Sequence, residues 1–103
     1  MRYLLELSYD GTHYQGWQIQ PNASTVQQCL DKALSIYFRQ EVITLGCGRT
    51  DAGVHATQFY AHFDLVGIAS DAVAKGETGI NSLLPYTVAV KRIFEVAEEA
   101  HAR

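Results

Sequence analysis

Basic residues are scarce in this sequence: 8 lysines and arginines stand against 11 aspartates and glutamates, a formal charge of −3. That balance offers no general electrostatic reason for a nucleic-acid partner, so any case for one rests on local residues. Sulfur is equally sparse. The 2 cysteines, Cys29 and Cys47, have no C-x-x-C spacing, which fits free thiols in a reducing compartment and excludes a disulfide framework or a sulfur-rich metal site. Long apolar runs are missing too. The N-terminus meets Glu6 and Asp10 before any stretch of signal-peptide length, and nothing approaches the roughly 20 apolar residues of a membrane span. A cytoplasmic protein with no membrane association is expected. Internal repeats and low-complexity segments are absent as well.

What is present is a chain of 103 residues with 48% hydrophobic content, enough for one compact domain with one core. Tyr3, Leu5, Leu7 and Tyr9 alternate with polar neighbours, the period-two pattern of a half-buried strand. DGTHYQGWQIQPNAS then reads as a long irregular connection. Thr25 followed by Gln28 fits a capping box, and Val26, Leu30, Ala33, Leu34 and Tyr37 recur on one face, predicting a helix from Thr25 to Phe38. Val42 to Cys47 and Thr57 to Leu65 read as strands. Ser70 and Asp71 can cap a second helix running to Ser82, although Gly76 and Gly79 each cost about 1 kcal/mol relative to alanine there. Pro85 stops it, and Val88 to Val96 gives the last strand.

The order βαββαβ predicts an α+β fold of the ferredoxin-like, split βαβ kind: a four-stranded antiparallel sheet with two helices on one face. The other face is left bare. Such a face serves RNA recognition, dimerisation or packing of a second domain, so the fold alone chooses no function.

Between two of the strands lies GCGRTDAGVHA, residues 46 to 56. Gly48 to Gly53 has the glycine spacing of a phosphate-binding loop, but Val54 and His55 stand where lysine and serine or threonine are needed, and G-x-G-x-x-G is not matched. A nucleotide triphosphatase and a dinucleotide site are thereby excluded. An aspartate remains on a glycine-rich loop with an arginine two residues away. Arg49 beside Asp51 favours the carboxylate, which suits Asp51 as nucleophile or base; the plainer alternative is a turn with a surface ion pair.

Four blocks then carry a resemblance: YDGTHYQGWQIQ at 9 to 20, TVQQCLDKAL at 25 to 34, GRTDAGVHA at 48 to 56 and INSLLP at 80 to 85. Together, in this order, the sequence resembles the TruA-type tRNA pseudouridine synthases. The resemblance implies isomerisation of uridine to pseudouridine in the anticodon arm of tRNA, without cofactor or metal, with Asp51 as the catalytic residue. It makes Arg49 the partner that orients Asp51 and holds the flipped nucleotide. It implies RNA contacts from Gly48, Thr50, Ala52, Gly53 and His55 in the same loop and from Trp17 and Gln18 ahead of the first helix. It further implies a homodimer whose subunits each contain two related halves, so residues 1–103 are expected to be the N-terminal, aspartate-bearing half. The absent half would supply an aromatic stacking partner for the base and much of the basic surface.

For several of these residues two readings stand side by side. Trp17 either packs over the first helix or contacts RNA. His55 braces the loop through a hydrogen bond; a metal site joining His55 and His62 to Asp51 or Asp64 is disfavoured because no supporting pattern surrounds them. Cys47 reads as a small buried hydrophobe. Tyr14 and Tyr60 carry no assigned role. A different class of function, a non-catalytic RNA-binding or assembly module, would show salt-sensitive RNA affinity depending on Arg2, Arg49 and Lys91.

Overall fold

The computed structural model describes residues 1–48 and 50–97. Its elements are β1 (Arg2–Tyr9), α1 (Val26–Phe38), β2 (Leu45–Gly46), β3 (Ala56–Asp64), α2 (Ser70–Ala74), α3 (Glu77–Leu83) and β4 (Val88–Val96). The strands form one sheet in the order β2-β3-β1-β4 with every neighbouring pair antiparallel. Each β-α-β crossover therefore skips one strand position, the interleaved arrangement expected from the element order.

The alternation in β1 sets the layers. Tyr3, Leu5, Leu7 and Tyr9 are buried and meet Phe63, Ala61 and Phe59 of β3 across the ladder, with Ile93 and Val90 of β4 on the other side. Helix α1 covers this face with Val26, Leu30, Ala33, Leu34 and Phe38. Thr25 is its N-cap, the hydroxyl accepting from the Gln28 N–H at 3.3 Å. Burying each large aliphatic here contributes about 1.5–3 kcal/mol, so the helix stripe and the strand alternation stabilise one another.

The opposite face carries a polar network. Glu6 accepts from Arg92 Nε at 2.7 Å and from Gln58 Nε2 at 3.1 Å, and Gln58 also donates to the Tyr60 hydroxyl at 2.8 Å. Charge-assisted bonds to Arg92 and Gln58 hold the Glu6 carboxyl below its ordinary range. Tyr60 thus belongs to this network.

Two elements depart from expectation. The strand expected over Val42 to Cys47 is reduced to Leu45–Gly46. Its first residues bond to α1 instead: Val42 N donates to Ser35 Oγ at 2.9 Å, Thr44 N donates to Asp31 Oδ1 at 3.1 Å, and the Thr44 carbonyl accepts from Gln27 Nε2 at 2.6 Å. Backbone groups satisfied by helix side chains are unavailable to a strand ladder. The single helix expected from Ser70 to Ser82 is two short ones, with Gly76 as the N-cap of the second. Here the Tyr37 ring of α1 lies against Gly76 and Gly79, where any Cβ would collide with it. Close packing of α1 on α3 is what these glycines permit.

Candidate active site

The glycine-rich loop leaves β2 and enters β3, so the β2–β3 hairpin fixes both of its ends. Within it Asp51, Ala52, Gly53 and Val54 form a turn: Val54 N donates to the Asp51 carbonyl at 3.2 Å and Gly53 has φ +79°. Glycine is the residue that takes this conformation at the third turn position without strain. Asp51 stands at the first position of the turn with its side chain exposed.

The long β1–α1 connection lies against this turn, backbone to backbone. Trp17 N donates to the Thr50 carbonyl at 3.3 Å and Gly53 N donates to the Tyr14 carbonyl at 3.1 Å. Gly16, at φ +90°, passes so close to the Thr50 carbonyl that a Cβ would overlap it, and Gly11 meets Val54 in the same way. The loop is held from beneath as well, because the Tyr9 hydroxyl and Thr50 Oγ1 are 2.7 Å apart. Asp51 is therefore an exposed carboxylate flanked on both sides by anchored backbone.

A cavity of about 490 Å³ opens beside it. Thr50, Asp51 and Ala52 line it together with Gln15, Gln18 and Ile19 of the β1–α1 connection. Its volume lies within the usual range for a small-molecule or nucleotide site. Gln18, Thr50, Ala52 and Asp51, all expected at the site from sequence, come together here. Gly53 shapes the turn, and Gly48 has open space around it. Arg49, expected to orient Asp51, lies outside the described residues, as does the tail from residue 98 onward.

Of the two readings of Trp17, packing is the one its position fits. The residue is 2% exposed and its ring contacts Phe59 and Tyr9 at centroid distances of 4.6 and 6.5 Å. An indole so covered offers no face to an RNA base, and its part in the site is to seat the β1–α1 connection on the sheet. His55 braces the loop as expected: Gly11 N donates to its Nδ1 at 2.9 Å, and Asp10 Oδ1 lies 3.1 Å from the same nitrogen. It lines a different concavity from Asp51. His62 is buried rather than on an open polar surface, and Asp64 pairs with Arg2 at 2.9 Å. Among the described residues no group of three or more His, Cys, Asp or Glu side chains is placed to hold a metal. Cys47 is partly buried against the core, and both cysteines are free thiols. No helix among the described residues is long and apolar enough to cross a membrane.

Sequence reasoning missed the supporting residues. Tyr14, without a role above, accepts the Gly53 N–H at its backbone carbonyl and shares a 2.8 Å hydroxyl contact with Thr87. Tyr9 was legible as a core residue from its place in the alternation, but its bond to Thr50 spans 41 positions. No local pattern encodes it.

The chain is similar to known proteins over nearly its whole length. Residues 7–103 match a family described as tRNA pseudouridine synthase. The tRNA pseudouridine synthase A of Bacteroides thetaiotaomicron is 52% identical over 102 residues, covering 99% of this chain and 37% of that protein. That of Bacteroides fragilis is 50% identical, covering 99% and 40%, and that of Ruminiclostridium cellulolyticum is 47% identical, covering 96% and 40%. The chain spans about two-fifths of the length of the curated relatives it matches. With a family match over nearly its whole length, this chain belongs to the tRNA pseudouridine synthase family.

Proposed function

We propose that this chain is the N-terminal, aspartate-bearing portion of a cytoplasmic, homodimeric tRNA pseudouridine synthase that isomerises uridine in the anticodon arm, with Asp51 as its catalytic residue. The observation that carries the reading is the setting of Asp51: an exposed carboxylate on a turn anchored at Thr50 and Gly53, facing a cavity of about 490 Å³. A fixed carboxylate beside a nucleotide-sized space is what an isomerisation without cofactor requires.

In the proposed reaction the target uridine is flipped out of its stack. Asp51 assists cleavage of the bond between N1 and C1' either by attacking C1' or by taking the 2' proton. The freed uracil turns and a new bond forms between C5 and C1' as the Asp51–C1' bond breaks or, in the proton-abstraction route, as Asp51 returns the 2' proton to C2'. C5 gives up its proton, N1 ends protonated and Asp51 is again a free carboxylate. Substrate and product have the same atoms, so no oxidant or second substrate enters. Gln18 and Thr50, which both line the cavity, supply hydrogen-bonding groups to the nucleotide. Arg49 is the proposed partner of Asp51, and Gly48, Ala52 and Gly53 let the RNA approach the loop backbone.

Replacing Asp51 with Asn in the complete protein tests this directly. Tritium release from tRNA labelled at uridine C5 should cease while tRNA binding stays within a few-fold of wild type; continued release would refute the assignment. The same assay on the 103-residue chain decides whether this portion assembles a working site alone.

A further inference from the structure

We propose that a second concavity, at the end of the sheet beside the glycine-rich loop, is a subsite for an unstacked nucleoside of the RNA next to the target uridine. The proposal rests on the reading of the chain as part of an RNA-modifying enzyme. The concavity measures about 510 Å³, and Asp10, His55, Thr57, Tyr86, Thr87 and Lys91 are among its lining residues.

Tyr86 is the unusual feature. It is 95% exposed, yet its backbone is pinned on both sides: Val88 N donates to the Pro85 carbonyl at 3.1 Å, and the Thr87 carbonyl accepts from Asp10 N at 2.8 Å. The Tyr14 hydroxyl holds Thr87 Oγ1 at 2.8 Å. A large aromatic ring left in water on a fixed turn is a stacking platform whose backbone ordering cost is already met by the fold.

The polar groups around it select the ligand. Lys91 is the extra residue of a bulge, because Glu6 pairs with Arg92 while Leu7 pairs with Val90. Bulges re-aim side chains, and Lys91 Nζ donates to the Thr57 carbonyl at the concavity wall at 2.6 Å. His55 Nδ1 lies against both the Gly11 N–H and Asp10 Oδ1, and with the side chain 62% exposed its Nε2 edge is open to a ligand. Asp10 adds a carboxylate that bonds from Thr12 hold ionised, its pKa lowered. An isolated anion would be repelled by Asp10. A nucleoside, with a face to stack and both acceptors and hydroxyl or amino donors on its edges, can meet Lys91, His55 and Asp10 together.

Position agrees with this use. His55 follows Asp51 by four residues, so their backbones lie within about 14 Å even at full extension. The intervening turn shortens that path. One strand of RNA spans such a distance in a few nucleotides.

The test is fluorescence anisotropy of the complete protein with a labelled anticodon stem–loop at two salt concentrations. Y86A should weaken binding about tenfold, the size of one base–aromatic stack, by the same factor at both salts. Y86F, which keeps the ring, should bind as wild type. K91M should weaken binding with a change of less than about one in the slope of log affinity against log salt, since Lys91 meets the nucleoside rather than a phosphate; a drop of a full unit would count against the subsite. If wild type binds and Y86A binds equally well, the subsite is overturned while the RNA reading stands. If wild type does not bind, the RNA reading of this chain fails and the subsite falls with it. Because Tyr86 is almost wholly exposed, its loss removes no packing and circular dichroism of Y86A should match wild type.

Discussion

The hydroxyl of Tyr9, on the core side of β1, lies 2.7 Å from Oγ1 of Thr50, the residue immediately before Asp51. Burial pushes the Tyr9 phenol above its ordinary range, while the bond to Thr50 acts the other way, so the group is a neutral hydrogen-bonding anchor at physiological pH. Through it the central strand of the sheet fixes the height of the loop. Y9F removes only the oxygen. The variant should lose about 0.5–1.5 kcal/mol of stability in urea titration, and in the complete protein turnover should fall with little change in KM. An equal fall in turnover for a variant that loosens the fold elsewhere by the same amount would show that Tyr9 acts through stability alone.

Gly16 has φ +90° and lies against the Thr50 carbonyl, whereas Gly67 has φ +77° with open space around it. G67A should cost on the order of 1 kcal/mol from backbone strain alone. G16A should cost more, and should also displace the Thr50 carbonyl and Asp51 with it. Paired denaturation curves test the difference; equal losses would mean that the contact between the two loops is loose.

Asp31 is buried in α1, bonded at Oδ1 to the N–H and hydroxyl of Thr44, with Oδ2 buried and unpartnered. Burial pushes its carboxyl up to about 6 from an ordinary 3.8, against the opposing effect of the Thr44 bonds. The folded state then holds this proton more tightly than the unfolded chain. Stability from Asp31 is full below the unfolded value and is lost as pH rises through the folded one. Between pH 4.5 and 7 the loss is on the order of 2 kcal/mol. Glu6, Asp10 and Asp64, all lowered by their hydrogen bonds, oppose this only at the acid end of the interval, where the unfolded carboxyls still hold part of their protons. D31N keeps an acceptor for Thr44 and does not titrate. Its melting temperature should fall less than wild type between these pH values, and parallel curves would show that Asp31 is solvated.

Thr25 caps α1 with its hydroxyl on Gln28 N. T25A should destabilise the chain by about 1 kcal/mol, while T25S should recover most of it. Because Val26 N and Gln27 N bond to the carbonyls of Gly16 and Trp17, amide exchange in both the first turn of α1 and the β1–α1 connection should quicken in T25A.

Much of this protein was written in local pattern. The alternation of Tyr3, Leu5, Leu7 and Tyr9, the stripe of Val26, Leu30 and Leu34, and the cap at Thr25 determined β1 and α1, since each depends on neighbours two to four positions away. The resemblance carried by GRTDAGVHA and the other blocks pointed to Asp51. Tertiary structure decided the rest. Val42 and Thr44 gave their backbone bonds to Ser35, Asp31 and Gln27 and left β2 with two residues. Tyr37 met Gly76 and Gly79, where α2 gives way to α3. Trp17 went into the core, while Gln18 beside it lines the same cavity as Asp51. Propensity and periodicity act within a turn or a strand. The bonds that hold Asp51 join residues as far apart as Tyr9 and Thr50, and only the register of the sheet brings those together.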